Sequence, residues 1–228
     1  VNPHVPKALQ RFSALNWALV YLAVSVVLFV LFQQGALERL DQWAFDFAKS
    51  LHTPWLNAFM SAATHLGGGK VLAPLGLLAV IWFLWKAYRM EALLIAVTLL
   101  AGDLLNDWLK EWVARPRPSL GWGISEVPDS YSFPSGHAMV GMAFYGMLAY
   151  VVQTVYGHTP WVKVVAPVTI LVVTLIAASR VYLGVHYLSD VLAGLAAAAV
   201  WYHLLRHVYE NALQRWHTHP GRPLTPGR

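Results

Sequence analysis

Uncharged apolar runs recur along this chain, and most are separated by polar segments only a few residues long. A helix that crosses a bilayer needs about 20 largely apolar residues. Residues 14–32 (ALNWALVYLAVSVVLFVLF) carry no charge and have that length. Residues 71–85 qualify when the flanking Lys70 and Lys86 extend toward water. Residues 92–109 carry Asp103 and Asp107, 138–156 are uncharged, 161–179 carry Lys163 near their start, and 187–205 carry Asp190 near theirs. The pattern predicts an all-α integral membrane bundle of six spans. It forms one domain over residues 1–216, and the Pro- and Gly-rich residues 217–228 read as a disordered tail. The first run has no small-residue cleavage site after it and reads as a span rather than a signal peptide.

The segment between spans one and two, residues 35–70, is polar and longer than the other connections. Leu37, Leu40, Ala44, Phe47 and Leu51 recur at alternating steps of three and four, which marks one face of a helix. Glu38, Arg39, Asp41, Asp46 and Lys49 lie off that stripe. The segment therefore predicts a short amphipathic helix lying on the membrane surface. Thr53 caps a second short helix with Pro54 at its first position, and Gly67, Gly68 and Gly69 end it. A packing lid and a gate for lipid both fit this segment.

Composition supports the membrane reading. Only 12% of residues are charged, against about 25% in soluble domains, while 57% are hydrophobic. The net charge of +5 points to membrane topology and anionic ligands, because no basic stripe or base-stacking module accompanies it and nucleic acid is not expected. The chain has no cysteine, which excludes disulfides, a thiol nucleophile and Cys-ligated metal. The run AGLAAAAV at 193–200 allows close helix approach.

Six spans put both tails on one side. That side carries nine Lys and Arg (Lys7, Arg11, Lys86, Arg89, Lys163, Arg206, Arg215, Arg222 and Arg228) and the other carries seven. Four of the seven, Lys110, Arg115, Arg117 and Arg180, sit beside the motifs described next. With these assigned to a ligand, three remain, and the bias places the tails in the cytoplasm. The expected location is the plasma (inner) membrane, with the motif side facing the periplasm or exterior.

Three clusters fall at span ends on that outer side: KEWVARPRP after span three, PSGH at the entry to span four, and SRVYLGVHYLSD between spans five and six. Lys110, Arg117 and Arg180 repel one another unless an anion lies between them, and guanidinium forks suit a phosphoryl group. Gly136 allows close backbone approach, Ser135 adds a hydroxyl donor, and the start of span four offers free N–H groups. His186 and Asp190, four residues apart, share one helical face. A carboxylate behind an imidazole fixes its tautomer and leaves the outer nitrogen free to attack. His137 can protonate a leaving oxygen. Gly184 offers the helix break that brings Arg180 toward His186.

Blander readings exist for each cluster. A His–Asp pair at this spacing is more often structural than catalytic, and cations at span ends are commonly anchors. Two histidines and an aspartate could hold a metal, but no third neutral ligand is evident and three cations would repel the ion. Neither a metal nor another cofactor is expected. Asp103 and Asp107 share a face of span three: Asp107 could pair with Lys110, or both acids could pack the bundle. Arg115 could touch substrate or only the interface. Of the remaining histidines, His203, His207, His217 and His219 lie at or beyond the expected cytoplasmic end, and His4, His52, His65 and His158 have no evident partner in the sequence.

The order Lys110 to Arg117-Pro118, Pro134-Ser135-Gly136-His137, and Ser179-Arg180 to His186 to Asp190 resembles the signature of the type 2 phosphatidic acid phosphatase family. It fills every position of that signature across residues 110–190. Within the family the likeness is to small bacterial phosphatidylglycerophosphate and undecaprenyl pyrophosphate phosphatases. The resemblance implies metal-independent dephosphorylation of a lipid phosphate or diphosphate through a phosphohistidine. It implies His186 as nucleophile, Asp190 as its orienter and His137 as general acid, with Lys110, Arg117, Ser135, Gly136 and Arg180 holding the phosphate. Arg115 lies outside the signature. A transporter, a structural membrane protein with an anion site, and a haloperoxidase are the competing classes. A transporter should show paired broken helices at the midplane, whereas these charges sit at span ends, and haloperoxidase relatives are soluble.

Overall fold

The computed structural model describes residues 13–123 and 128–217. Of the predicted tail at 217–228, all but His217 lies outside them, as do His4, Lys7 and Arg11, whereas His217 ends the last helix. The described residues form helices and loops, with no strand. In chain order the helices are α1 (Ala14–Gln33), α2 (Glu38–Ser50), α3 (Pro54–His65), α4 (Gly69–Trp85), α5 (Arg89–Val113), α6 (Gly136–Tyr156), α7 (Val165–Tyr182) and α8 (Leu188–His217). A short 3₁₀ turn at Pro160–Val164 leads into α7.

Helices α1, α5, α6, α8 and α7 with its leading turn are long and apolar enough to cross a membrane. The second predicted span is different. α4 has 17 residues and satisfies the length test only together with α3, to which it joins at a 45° bend. α3 and α4 together have the length and apolarity of a sixth span, bent at the glycines. The chain is a multi-pass membrane protein.

α6 is the central helix, more than half buried, and touches α4, α5, α7 and α8. Its residues Phe144, Met147 and Val151 are fully enclosed with Ile95 of α5 and Phe83 of α4. α1 packs chiefly on α8 and turns Leu19, Val26 and Val27 outward, as a helix facing lipid should. The small residues of α8 behave as expected: Ala193, Ala196, Ala198 and Ala199 are all buried.

Local signals account for some of the helix ends. Ser13 Oγ accepts the Asn16 N–H at 3.2 Å and caps α1. Thr53 has the extended backbone of a cap, but its side chain makes no capping bond, so Pro54 at the first position starts α3. α7 ends where Gly184 takes φ +71°, a left-handed conformation that costs other residues energy.

α2 is amphipathic in an unexpected sense. Leu40, Phe47 and Leu51 of the apolar stripe are exposed, together with Trp43, which stacks on Phe47. The inward face is Asp41, Ala44, Phe45 and Ala48. The large residues of the stripe thus meet the surroundings, as a membrane-surface helix requires, while Ala44 turns inward and Asp41, which the pattern assigns to the polar side, is buried in the protein.

Candidate active site

The three clusters converge at one end of the bundle. The close of α5 supplies Lys110, the loop after it supplies Arg115 and Arg117, the start of α6 supplies Ser135 to His137, and the α7–α8 junction supplies Arg180, His186 and Asp190. The Gly184 turn folds the chain back, so the Val185 and His186 N–H groups both donate to the Arg180 carbonyl at 3.3 Å. This supplies the break that joins Arg180 to His186.

His186 is 1% exposed. Its Nδ1 lies 3.3 Å from Asp190 Oδ2. Asp190 is fully buried and held by several donors. Its Oδ2 also accepts the Ser132 hydroxyl and, at 3.1 Å, the Tyr187 N–H, while its Oδ1 accepts Arg115 Nη1 at 2.5 Å. On the other ring edge, Arg117 Nη1 donates to His186 Nε2 at 3.0 Å. A guanidinium only donates, so Nε2 carries a lone pair and the ring proton sits on Nδ1 toward Asp190. Burial pushes the His186 pKa down to about 4. The hydrogen bond to Asp190 opposes that shift and the charge of Arg180 adds to it. Burial also pulls Arg117 below its ordinary value. The result is a neutral imidazole whose free nitrogen faces cations.

Lys110 and Arg117 share Ser130: Lys110 Nζ donates to its Oγ at 3.3 Å and Arg117 Nη2 at 2.9 Å. Lys110 also donates to the Tyr131 carbonyl at 3.0 Å. Asp107 makes no ion pair within 4 Å of Lys110 but acts on it electrostatically, and both Asp103 and Asp107 are exposed. Arg180 is 5% exposed and donates Nη1 to Thr64 of α3 at 2.6 Å. Its Nε and the Ser135 Oγ are buried with no hydrogen-bond partner among the described residues. Buried polar atoms are normally paired, so two orphans beside three cations mark a place built for oxygen acceptors.

Gly136 also has a packing role. A Cβ there would lie 2.7 Å from Asn106 Oδ1, so the glycine makes room for a buried asparagine of α5. His137 stands against the α3–α4 bend: a Cβ on Gly67 would lie 3.0 Å from its carbonyl oxygen, and one on Gly68 3.3 Å from its Nε2. The glycines therefore fit around this histidine as well as ending α3. Arg180, His186, Lys110 and Arg117 all act on His137 electrostatically.

Arg115 makes contacts within the protein that its place outside the signature does not suggest. It bridges Asp190 and Asp41, at 2.5 and 3.0 Å, and its guanidinium lies over the rings of Tyr187 and Phe32. His52 has partners after all: its Nε2 lies 3.3 Å from the Tyr182 carbonyl and its ring packs edge-on against Trp122. Sequence reasoning missed Thr64, Asn106, Ser130, Ser132, Asp41 and Ser189. The stretch DSYSFPSGH, with three serines before the histidine, carried a signal for Ser130 and Ser132. No group of three or more His, Asp or Glu suited to a metal occurs among the described residues.

A helical membrane bundle with cations, paired histidine and aspartate, and unpaired donors gathered at one end defines an anion-handling membrane protein. A family model described as the PAP2 superfamily matches residues 91–214, and the chain belongs to that family. It is 32% identical over 196 residues to phosphatidylglycerophosphatase B of Bacillus subtilis (strain 168), covering 82% of this chain and 94% of that one. It is 29% identical over 155 residues to a lipid A 4'-phosphatase of Porphyromonas gingivalis, covering 61% of each. The crystal structure of a transmembrane PAP2-type phosphatidylglycerolphosphate phosphatase from Bacillus subtilis superposes with a TM-score of 0.79 at 29% identity, covering 86% of this chain and 96% of that one.

Proposed function

We propose that this protein is a lipid phosphatase that removes the terminal phosphate of a membrane lipid phosphate or diphosphate through a phosphohistidine. The observation that carries the reading is His186, with Nδ1 backed by Asp190 and the lone pair of Nε2 aimed at Arg117. Lys110, Arg117, Arg180 and Ser135 surround the transferred phosphoryl group and balance its charge. Nε2 attacks phosphorus as the P–O bond to the lipid breaks, and His137 gives its proton to the departing oxygen. Water then attacks the phosphohistidine, His137 takes the water's proton, and the P–N bond breaks to release phosphate. Asp190 stabilises the positive charge that develops on the ring.

The lipid tail stays among the helices while the headgroup reaches the polar end. The Lys and Arg balance supports cytoplasmic termini and an outward-facing site. Phosphatidylglycerol phosphate is the favoured substrate because the relative aligned over 94% of its own length bears that activity in its name. Undecaprenyl diphosphate offers the same terminal group.

His186→Ala tests the mechanism. Turnover should fall by roughly six orders of magnitude, as for loss of other covalent nucleophiles, with an unchanged melting temperature. Retention of more than a tenth of wild-type turnover would overturn the assignment. Phosphate release from purified protein in liposomes, across phosphatidylglycerol phosphate, undecaprenyl diphosphate and phosphatidate, ranks the substrates.

A further inference from the structure

Asp41 belongs to no motif and sits on a surface helix, yet it is 3% exposed. A lone buried carboxylate is costly unless paired and hydrogen-bonded. Here Oδ1 accepts the Ser189 backbone N–H at 2.8 Å, and Oδ2 accepts the Ser189 hydroxyl at 2.7 Å and Arg115 Nη2 at 3.0 Å. α8 begins at Leu188, so the Ser189 amide is one of the donors with no partner inside its own helix. Asp41 therefore caps α8 from a different helix, at the residue directly before Asp190.

Arg115 completes the link. Its Nη2 takes Asp41, while its Nη1 takes Asp190 at 2.5 Å and Ser189 Oγ at 2.8 Å. The planar fork spans two carboxylates in a way that an ammonium cannot. We propose that Asp41 is a positioning residue for the His186–Asp190 pair, acting from α2 through Arg115 and the first turn of α8. The proposal rests on His186 being the nucleophile. Asp41 shares the guanidinium's charge, so Arg115 does not draw Asp190 wholly away from the imidazole, and its cap sets the direction in which α8 presents Asp190. Neither Asp41 nor Arg115 touches the phosphate-holding atoms, so their loss should slow the chemical step and leave binding alone.

The test is steady-state kinetics on purified full-length protein in detergent, with inorganic phosphate as a competitive probe of the cradle. Asp41→Asn should lower kcat about 10- to 100-fold, with KM and the phosphate inhibition constant within twofold. Arg115→Lys, which keeps the charge but not the fork, should lose kcat similarly and provides the reading if Asp41→Asn does not fold. The double variant Asp41→Asn/Arg115→Gln should be no slower than Arg115→Gln alone, because both act along one path. Full kcat in Asp41→Asn, or in Arg115→Lys where that is the folded variant, overturns the proposal. So does additive loss in the double variant, or a weakening of phosphate inhibition matching the loss in kcat. His186→Ala separates the two readings. If it stays active, the nucleophile assignment fails; if it is inactive while Asp41→Asn is fully active, only the positioning role fails.

Discussion

The two polar ends of this bundle are built on opposite rules. At the far end, Glu91 of α5 accepts the Tyr209 hydroxyl of α8 at 2.6 Å, while Glu210 accepts Arg206 at 2.7 Å and the Tyr150 hydroxyl at 3.1 Å. These acids and donors are matched and tie α5, α6 and α8 together, although the neighbouring His203 Nδ1 is buried without a hydrogen-bond partner among the described residues. At the site end, Arg115 forms ion pairs with both Asp41 and Asp190, while Lys110, Arg117 and Arg180 form none among the described residues. Two further donors, Ser135 Oγ and Arg180 Nε, have no partner. A satisfied polar cluster is a fastening, whereas an unsatisfied cationic one is a receptor that waits for its counter-charge.

The largest effect that separates the two ends comes from Arg180→Gln. Losing one pre-aimed donor to a transition-state oxyanion typically costs 10²- to 10³-fold, and a loss of that size is expected in turnover. The fold should be little affected, because the change removes an under-balanced buried cation. Thermal unfolding should stay within a few degrees of wild type, while the stabilisation that added phosphate gives the wild type should vanish. A variant that unfolds readily but keeps its turnover per folded molecule would make Arg180 a fastening like those at the far end.

How much of this was legible in the sequence follows the same division. The signature residues are short-range or sit at span ends, so topology alone gathers Lys110, Arg117, Ser135, His137, Arg180, His186 and Asp190. Gly184 announces its turn because few other residues tolerate that backbone. Asp41 could not be read, because its partner Ser189 lies 148 residues away and an acid off an apolar stripe looks solvated. The outward direction of the α2 stripe was hidden for a related reason: periodicity gives a face but not what the face meets. The α3–α4 bend was hidden because glycines that end one helix look the same as glycines that fit round His137.

The far end predicts a loss of stability without a loss of function. Tyr209→Phe removes the donor to Glu91 and leaves that mostly buried carboxylate unpaired. A buried acceptor stripped of its donor costs about 1–3 kcal/mol. Thermal or denaturant unfolding in detergent should register that cost, and turnover per folded molecule should stay within twofold of wild type. A kinetic defect without a stability defect would show the two ends to be coupled along α8.

The finest difference is expected between two neighbouring glycines. Gly68 has φ −88° and ψ 151°, a backbone that alanine also adopts, so Gly68→Ala introduces no backbone strain. Its new methyl would stand 3.3 Å from His137 Nε2 and 3.4 Å from the His65 carbonyl oxygen, whereas a methyl on Gly69 meets nothing within 4 Å. The imidazole must then shift by a few tenths of an ångström, and proton transfer to a leaving oxygen is sensitive to such shifts. Turnover should fall about three- to tenfold in Gly68→Ala with KM nearly constant, and Gly69→Ala should match wild type. A substrate with a more acidic leaving group needs less help from an acid, so it should narrow the gap. Equal turnover in the two variants would place the proton donor elsewhere than on His137, and the site end would then tolerate a methyl as readily as the matched end does.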